Sequence, residues 1–167
     1  TPELPTDLVE LRPQPGATEI EDHEVVEAVR MLVEPWTASS DGRAEVVAVE
    51  GGLAEALGAL GLRRARVAPV DGSVALAWMA WAGASGGAHG RRRGGALGRF
   101  GAWWTAAALG GVVDRWPIPP DELGAIVTEL DWWWWDAAEP ALGWELQLVV
   151  EDPDDGLAWA ISARDAR

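Results

Sequence analysis

Residues 144–163 read WELQLVVEDPDDGLAWAISA, and the pattern in this stretch decides the fold. Trp144, Leu146, Leu148 and Val150 recur at every second position, and so do Leu157, Trp159, Ile161 and Ala163. A period of two places each set on one face of a strand. Between the sets, Asp152-Pro153-Asp154-Asp155-Gly156 is a turn in which Pro presets φ and Gly supplies positive φ. The spacing predicts antiparallel strands over residues 143–151 and 156–163.

Working upstream, DWWWWD at residues 131–136 reads as a third strand, since consecutive aromatics suit strands. EVVAVE at 45–50 and the alternating run at 64–70 add two more, with a Leu53, Leu57, Leu60 helix between them that Gly61 is placed to end. Residues 19–34 carry Val25, Val29 and Leu32 on one helical stripe, with acids at its start and Pro35 at its end. Helices are also expected over 74–82, 96–113 and 121–130, the last capped by Asp121. The fold class is α+β: a mostly antiparallel sheet with a C-terminal hairpin or meander and helices packed on it. Pro2, Pro5, Pro13 and Pro15 make residues 1–18 an extended arm, leaving 19–167 as a single domain. The first residue is Thr1 rather than Met, which fits an excerpt of a longer protein.

The 167 residues are 49% hydrophobic, enough for a sizeable core. Cys is absent, so disulfides, thiolate metal sites and Cys nucleophiles are excluded. His23 and His89 are the only histidines, which removes poly-His metal centres. Net charge is −14, which argues against nucleic acid and anionic membrane as partners. The charge is uneven: residues 61–100 carry +6 between flanks of −10 each. Residues 94–113 form the most apolar stretch, but Arg99 and the Gly and Ala content make it a poor membrane span. The start is Pro-rich and acidic, unlike a signal peptide, and a soluble cytoplasmic protein is expected.

Within the basic centre lies GGAHGRRRGG, residues 86–95, ahead of the helix expected from residue 96. Glycines let backbone N–H groups approach an anion, and a helix start favours negative charge. Arg91, Arg92 and Arg93 would clamp the anion beside Gly94 and Gly95, with His89 assisting. The bland alternative is a surface loop whose arginines pair with the acidic flanks. Gly83-Ala84-Ser85-Gly86-Gly87 matches the nucleophile elbow G-x-S-x-G literally. The sole downstream His is His89, inside the same loop, so no triad follows and no catalytic residue is assigned. The acids at 151–155 do not meet the EF-hand spacing, and no metal site is expected.

Twelve Trp are present. On a strand, Trp132 and Trp134 oppose Trp133 and Trp135, so some indole surface is either exposed or covered by a helix or partner. Trp133 and Trp135 are the candidate interface or ligand aromatics; a two-sided sheet sandwiched by helices is the bland alternative.

Two resemblances follow. Arg91-x-x-Gly94-x-Ala96 resembles the acyl-CoA loop, R/Q-x-x-G-x-G/A, of the GNAT acetyltransferases, and the order of elements over 64–163 is loosely similar. That likeness implies a pyrophosphate held on backbone amides and acyl-CoA as cofactor. The departures are a barely present strand at 111–116 and the lack of any Tyr for the family's usual general acid. The runs WAGASGGAHGRRRGGALGRFGAWW (81–104), DWWWWD and VEDPDDGLA (150–158) resemble proteins of high-GC actinobacteria that form a family of unknown function. This likeness covers most of 25–167 and implies no activity or cofactor. The favoured expectation is a binding or interaction domain, leaning away from an enzyme, for a protein partner or a phosphate-containing small molecule. An acetyltransferase is one alternative. A structural domain of a longer protein, touching its neighbour through exposed Trp, is another.

Overall fold

The computed structural model describes residues 1–141 and 143–166, so Arg167, the last residue of the expected domain, lies outside the described residues. The elements run β1 (Val9–Leu11), β2 (Glu19–Ile20), α1 (His23–Leu32), α2 (Glu34–Ala38), β3 (Arg43–Glu50), α3 (Leu53–Ala59), β4 (Ala65–Val70), α4 (Gly72–Ala84) and α5 (Gly95–Leu109). A 3-10 turn at Val113–Arg115 follows, then α6 (Pro120–Glu129), β5 (Asp131–Asp136), β6 (Gly143–Asp152) and β7 (Leu157–Ala166). The strands form one antiparallel sheet in the order β1-β4-β5-β6-β7-β3-β2. The fold is α+β, with the C-terminal hairpin at the centre of the sheet.

Alternation in β5, β6 and β7 builds two cores. Trp132, Trp134, Leu146, Leu148, Val150, Trp159 and Ile161 line one face, under α1, α4 and α5. Trp135, Val149, Ala158, Ala160, Val49 and Val67 line the other, under the short α3. Burial of each large apolar side chain contributes about 1.5–3 kcal/mol. Helix α1 is capped by Asp22, whose carboxylate accepts from the Val25 N–H at 3.2 Å and from the Trp159 indole N–H at 3.0 Å. One side chain thus caps the helix and ties it to β7. Helix α4 is nearly all apolar because it is sandwiched between the sheet and α5. The α4–α5 crossing is close: a Cβ on Gly83 would lie 3.0 Å from the Gly98 Cα.

Val9–Leu11 of the extended arm pairs with β4. Two expectations shift. The helix expected from residue 19 begins at His23, because Glu19 and Ile20 pair with Val49 and Ala48. Asp121 lies inside the first turn of α6 rather than capping it; Pro119 holds the cap position.

Candidate functional site

The loop at 85–94 joins α4 to α5, and long-range contacts set its path. Gly90 N–H donates to Gly86 O at 2.8 Å, and Gly87 N–H to Ser85 Oγ at 3.0 Å, closing a tight turn. Asp165 of β7, 1% exposed, accepts from the Ala88 N–H and from the Ser40 hydroxyl, both at 2.6 Å. Gly87 has φ +67°, and a Cβ there would collide with the Asp165 carboxylate and lie 2.8 Å from Trp36 Cδ1. Gly87 is therefore required by close packing of the loop on β7 and Trp36.

The expected anion residues separate. Arg93 turns inward and donates to Gly83 O at 3.0 Å, to Met31 O at 3.1 Å and to Leu32 O. It thereby supplies donors to carbonyls in the last turns of α1 and α4, where helix carbonyls run short of intrahelical partners. Burial lowers its pKa from the ordinary arginine value, opposed by Glu34 at 3.9 Å. Arg93 is committed to these carbonyls and cannot also clamp an anion. His89, Arg92, Gly94 and Gly95 do come together, lining one concavity of about 890 Å³ with Trp81, Ser85 and Trp144. Arg91 is exposed and is not part of that lining. No side chain caps α5 and no acid stands in its first turn, so its positive end is uncompensated there.

A second concavity of about 710 Å³ adjoins the first and shares Trp81, Trp144 and Thr1 with it. Trp78 and Trp134 complete its aromatic wall, and Pro2 and Leu4 of the N-terminal arm line it too. The indoles form a continuous array. Trp78 packs on Trp134 at a 36° tilt with centroids 4.5 Å apart and meets Trp81 edge-on at 5.4 Å, and Trp81 meets Trp36 at 6.1 Å. The buried N–H groups of Trp36 and Trp78 have no hydrogen-bond partner among the described residues. Both rings stand steeply against Trp81, a geometry in which an indole edge meets a neighbour's π face.

Trp133 and Trp135 belong elsewhere. Trp135 is 2% exposed in the core beneath α3 and donates to Ile161 O at 3.1 Å. Trp133 is half-buried and donates to Glu151 Oε1 at 2.7 Å, while Glu151 Oε2 accepts from Leu53 N–H at the start of α3. Of the two alternatives for these candidate aromatics, a helix covers this face of the sheet: α3 packs on it, and Trp135 offers no surface to a partner. The GNAT resemblance also loses its frame. A helix, α4, precedes the motif, and a 3-10 turn occupies the place of the strand expected at 111–116. No group of three or more metal-ligating side chains occurs among the described residues, and none of their helices is long and apolar enough to cross a membrane.

Sequence reasoning missed Trp78, Trp81, Trp134 and Trp144 as one wall. The available signal was Trp78 and Trp81, three apart at the end of a helix that leads into the loop. No curated protein and no solved structure matches the chain. One family model matches residues 3–167, nearly the whole chain. The chain belongs to that family, described as a family of unknown function (DUF6183).

Proposed function

We propose that this domain binds a small organic anion with a flat apolar body, in the cytoplasm, without transforming it. The observation that carries the reading is the union of two concavities through Trp81 and Trp144, one aromatic and one lined by His89 and Arg92. Each has a volume typical of small-molecule sites. The flat body stacks against the indoles. The anionic group, of the phosphate or carboxylate class, meets Arg92, His89 and the uncapped start of α5.

The test is a Trp fluorescence titration with a nucleoside monophosphate, using inorganic phosphate and the free nucleoside as controls. Saturable quenching is expected, weakened about tenfold or more by Arg92→Ala, in line with loss of a charge-assisted hydrogen bond. Binding that is indifferent to both Arg92→Ala and Trp144→Ala would refute the reading.

A second reading, contact with a protein neighbour, is favoured by one observation. Leu97 and Phe100 on α5 are 51% and 43% exposed, and Phe100 packs against Trp104 and Trp116. Phe100→Asp would abolish such a contact while leaving the titration unchanged.

A further inference from the structure

The corner of the sheet at β1 and β4 gathers positive charge against the balance of the whole chain. Glu10 pairs in register with Arg66, and Leu11 with Ala65. One step further along both strands, Arg12 comes beside Arg64, with Arg63 next in the chain. Arg12, Arg63, Arg64 and Arg66 line a cleft of about 410 Å³ together with Glu10, Leu11, Ala65 and Ala138.

Two of these guanidinium groups are already held. Arg64 meets Glu10 at 3.0 Å. Arg66 makes a two-pronged contact with Asp136, at 2.9 and 2.7 Å. The side chains of Arg12 and Arg63 have neither an ion pair nor a hydrogen bond among the described residues. Like charges side by side on neighbouring strands repel. The chain has 27 acids and only 13 basic residues, yet one acid lines this cleft and a second, Asp136, reaches it from β5. The cleft is thus left cationic in an otherwise acidic chain.

We propose that this cleft is an anion site, separate from the loop at 85–94, that takes a multivalent oxyanion of the phosphate class. Arg12 and Arg63 supply the free contacts. Glu10 and Asp136 hold Arg64 and Arg66 in place, leaving the N–H groups not used in those pairs to meet the oxyanion with little further ordering. A multivalent anion is favoured over a monovalent one because the uncompensated charge is more than one.

The experiment is calorimetric titration with pyrophosphate at low ionic strength, with sulfate and acetate as comparison anions. Arg12→Gln combined with Arg63→Gln removes both free charges at exposed positions, and a thermal melt checks that this variant is folded. Saturable binding is expected, stronger for pyrophosphate than for acetate, weakened about tenfold or more in the double variant and unaffected by Arg92→Ala. Non-saturating heat, equal binding by the double variant, or loss on Arg92→Ala instead would each overturn the assignment. The Arg92→Ala comparison also keeps this result distinct from the fate of the loop reading.

Discussion

The Asp165 carboxylate and the Ala88 N–H, 77 residues apart in the chain, meet at 2.6 Å and join the end of β7 to the loop between α4 and α5. The other carboxylate oxygen holds Ser40 at the same distance, so one buried side chain positions two loops. Its register neighbour across β6 is Trp144, which links the loop to the aromatic wall. Asp165→Ala leaves the Ala88 N–H unpaired and is expected to cost about 1–3 kcal/mol. Urea unfolding reads the cost, and hydrogen exchange at residues 86–90 reads the loosening. Unchanged protection of those amides would show that the carboxylate does not position the loop.

Arg91 and Arg93 stand two residues apart in the same basic run but do different work. Arg93 satisfies carbonyls at the ends of two helices, so Arg93→Ala is expected to lower stability by about 1.5–3 kcal/mol. Arg91 is exposed, and Arg91→Ala is expected to stay within about 0.5 kcal/mol of the parent. Arg93→Lys should rescue poorly, because an ammonium lacks the planar fork that reaches several carbonyls at once. Equal unfolding midpoints for the two alanine variants would contradict the capping role.

Glycines within the helices are not equivalent. A Cβ on Gly98 would run into the Ala80 carbonyl oxygen and lie 2.9 Å from the Ala84 nitrogen, so Gly98→Ala must push α4 and α5 apart. The expected cost is about 1–3 kcal/mol. Gly124 in α6 has nothing within 4 Å of the same position, and Gly124→Ala is expected to stabilise by about 0.4–1 kcal/mol. Thermal melts of the two variants should therefore move in opposite directions.

What could be read in advance follows from whether the controlling contact is local. The hairpin of β6 and β7 is stated by a period of two within each strand. The opposed faces of Trp132 to Trp135 were legible for the same reason. What covers each face was not, because α3 and α4 come from far upstream, and Trp135 proved to be core. The glycine-rich loop was legible as a loop, but the reason for Gly87 lies in Asp165 and Trp36, which no local pattern connects to it. Arg93 is indistinguishable from Arg91 until α1 is folded against it. Strand β1 is three residues among prolines with no periodicity of its own, and its pairing is decided by β4.

Asp136 and Glu145 are expected to give opposite pH dependences of stability. Burial opposes ionisation of Asp136, but the Arg66 hydrogen bonds, the Ala138 N–H and the Arg66 charge outweigh it and lower its pKa below the ordinary 3.8. Its stabilising contribution is present above that value and is lost as pH falls through the folded value. Glu145 is raised above 4.5 chiefly by burial and also by Asp136, against the pull of Arg164. Its ionisation therefore costs stability as pH climbs from 4.5 through the folded value. Arg164 has another partner available: with the Gln147 amide turned so that its oxygen faces the guanidinium, that oxygen accepts from it at 3.1 and 3.2 Å, so Glu145→Gln does not strand the guanidinium. Urea midpoints between about pH 3 and pH 7 test both signs. Asp136→Asn should fall further behind the parent as pH rises, while Glu145→Gln should gain on it. Parallel profiles for the two variants would mean that neither carboxyl is shifted by its surroundings.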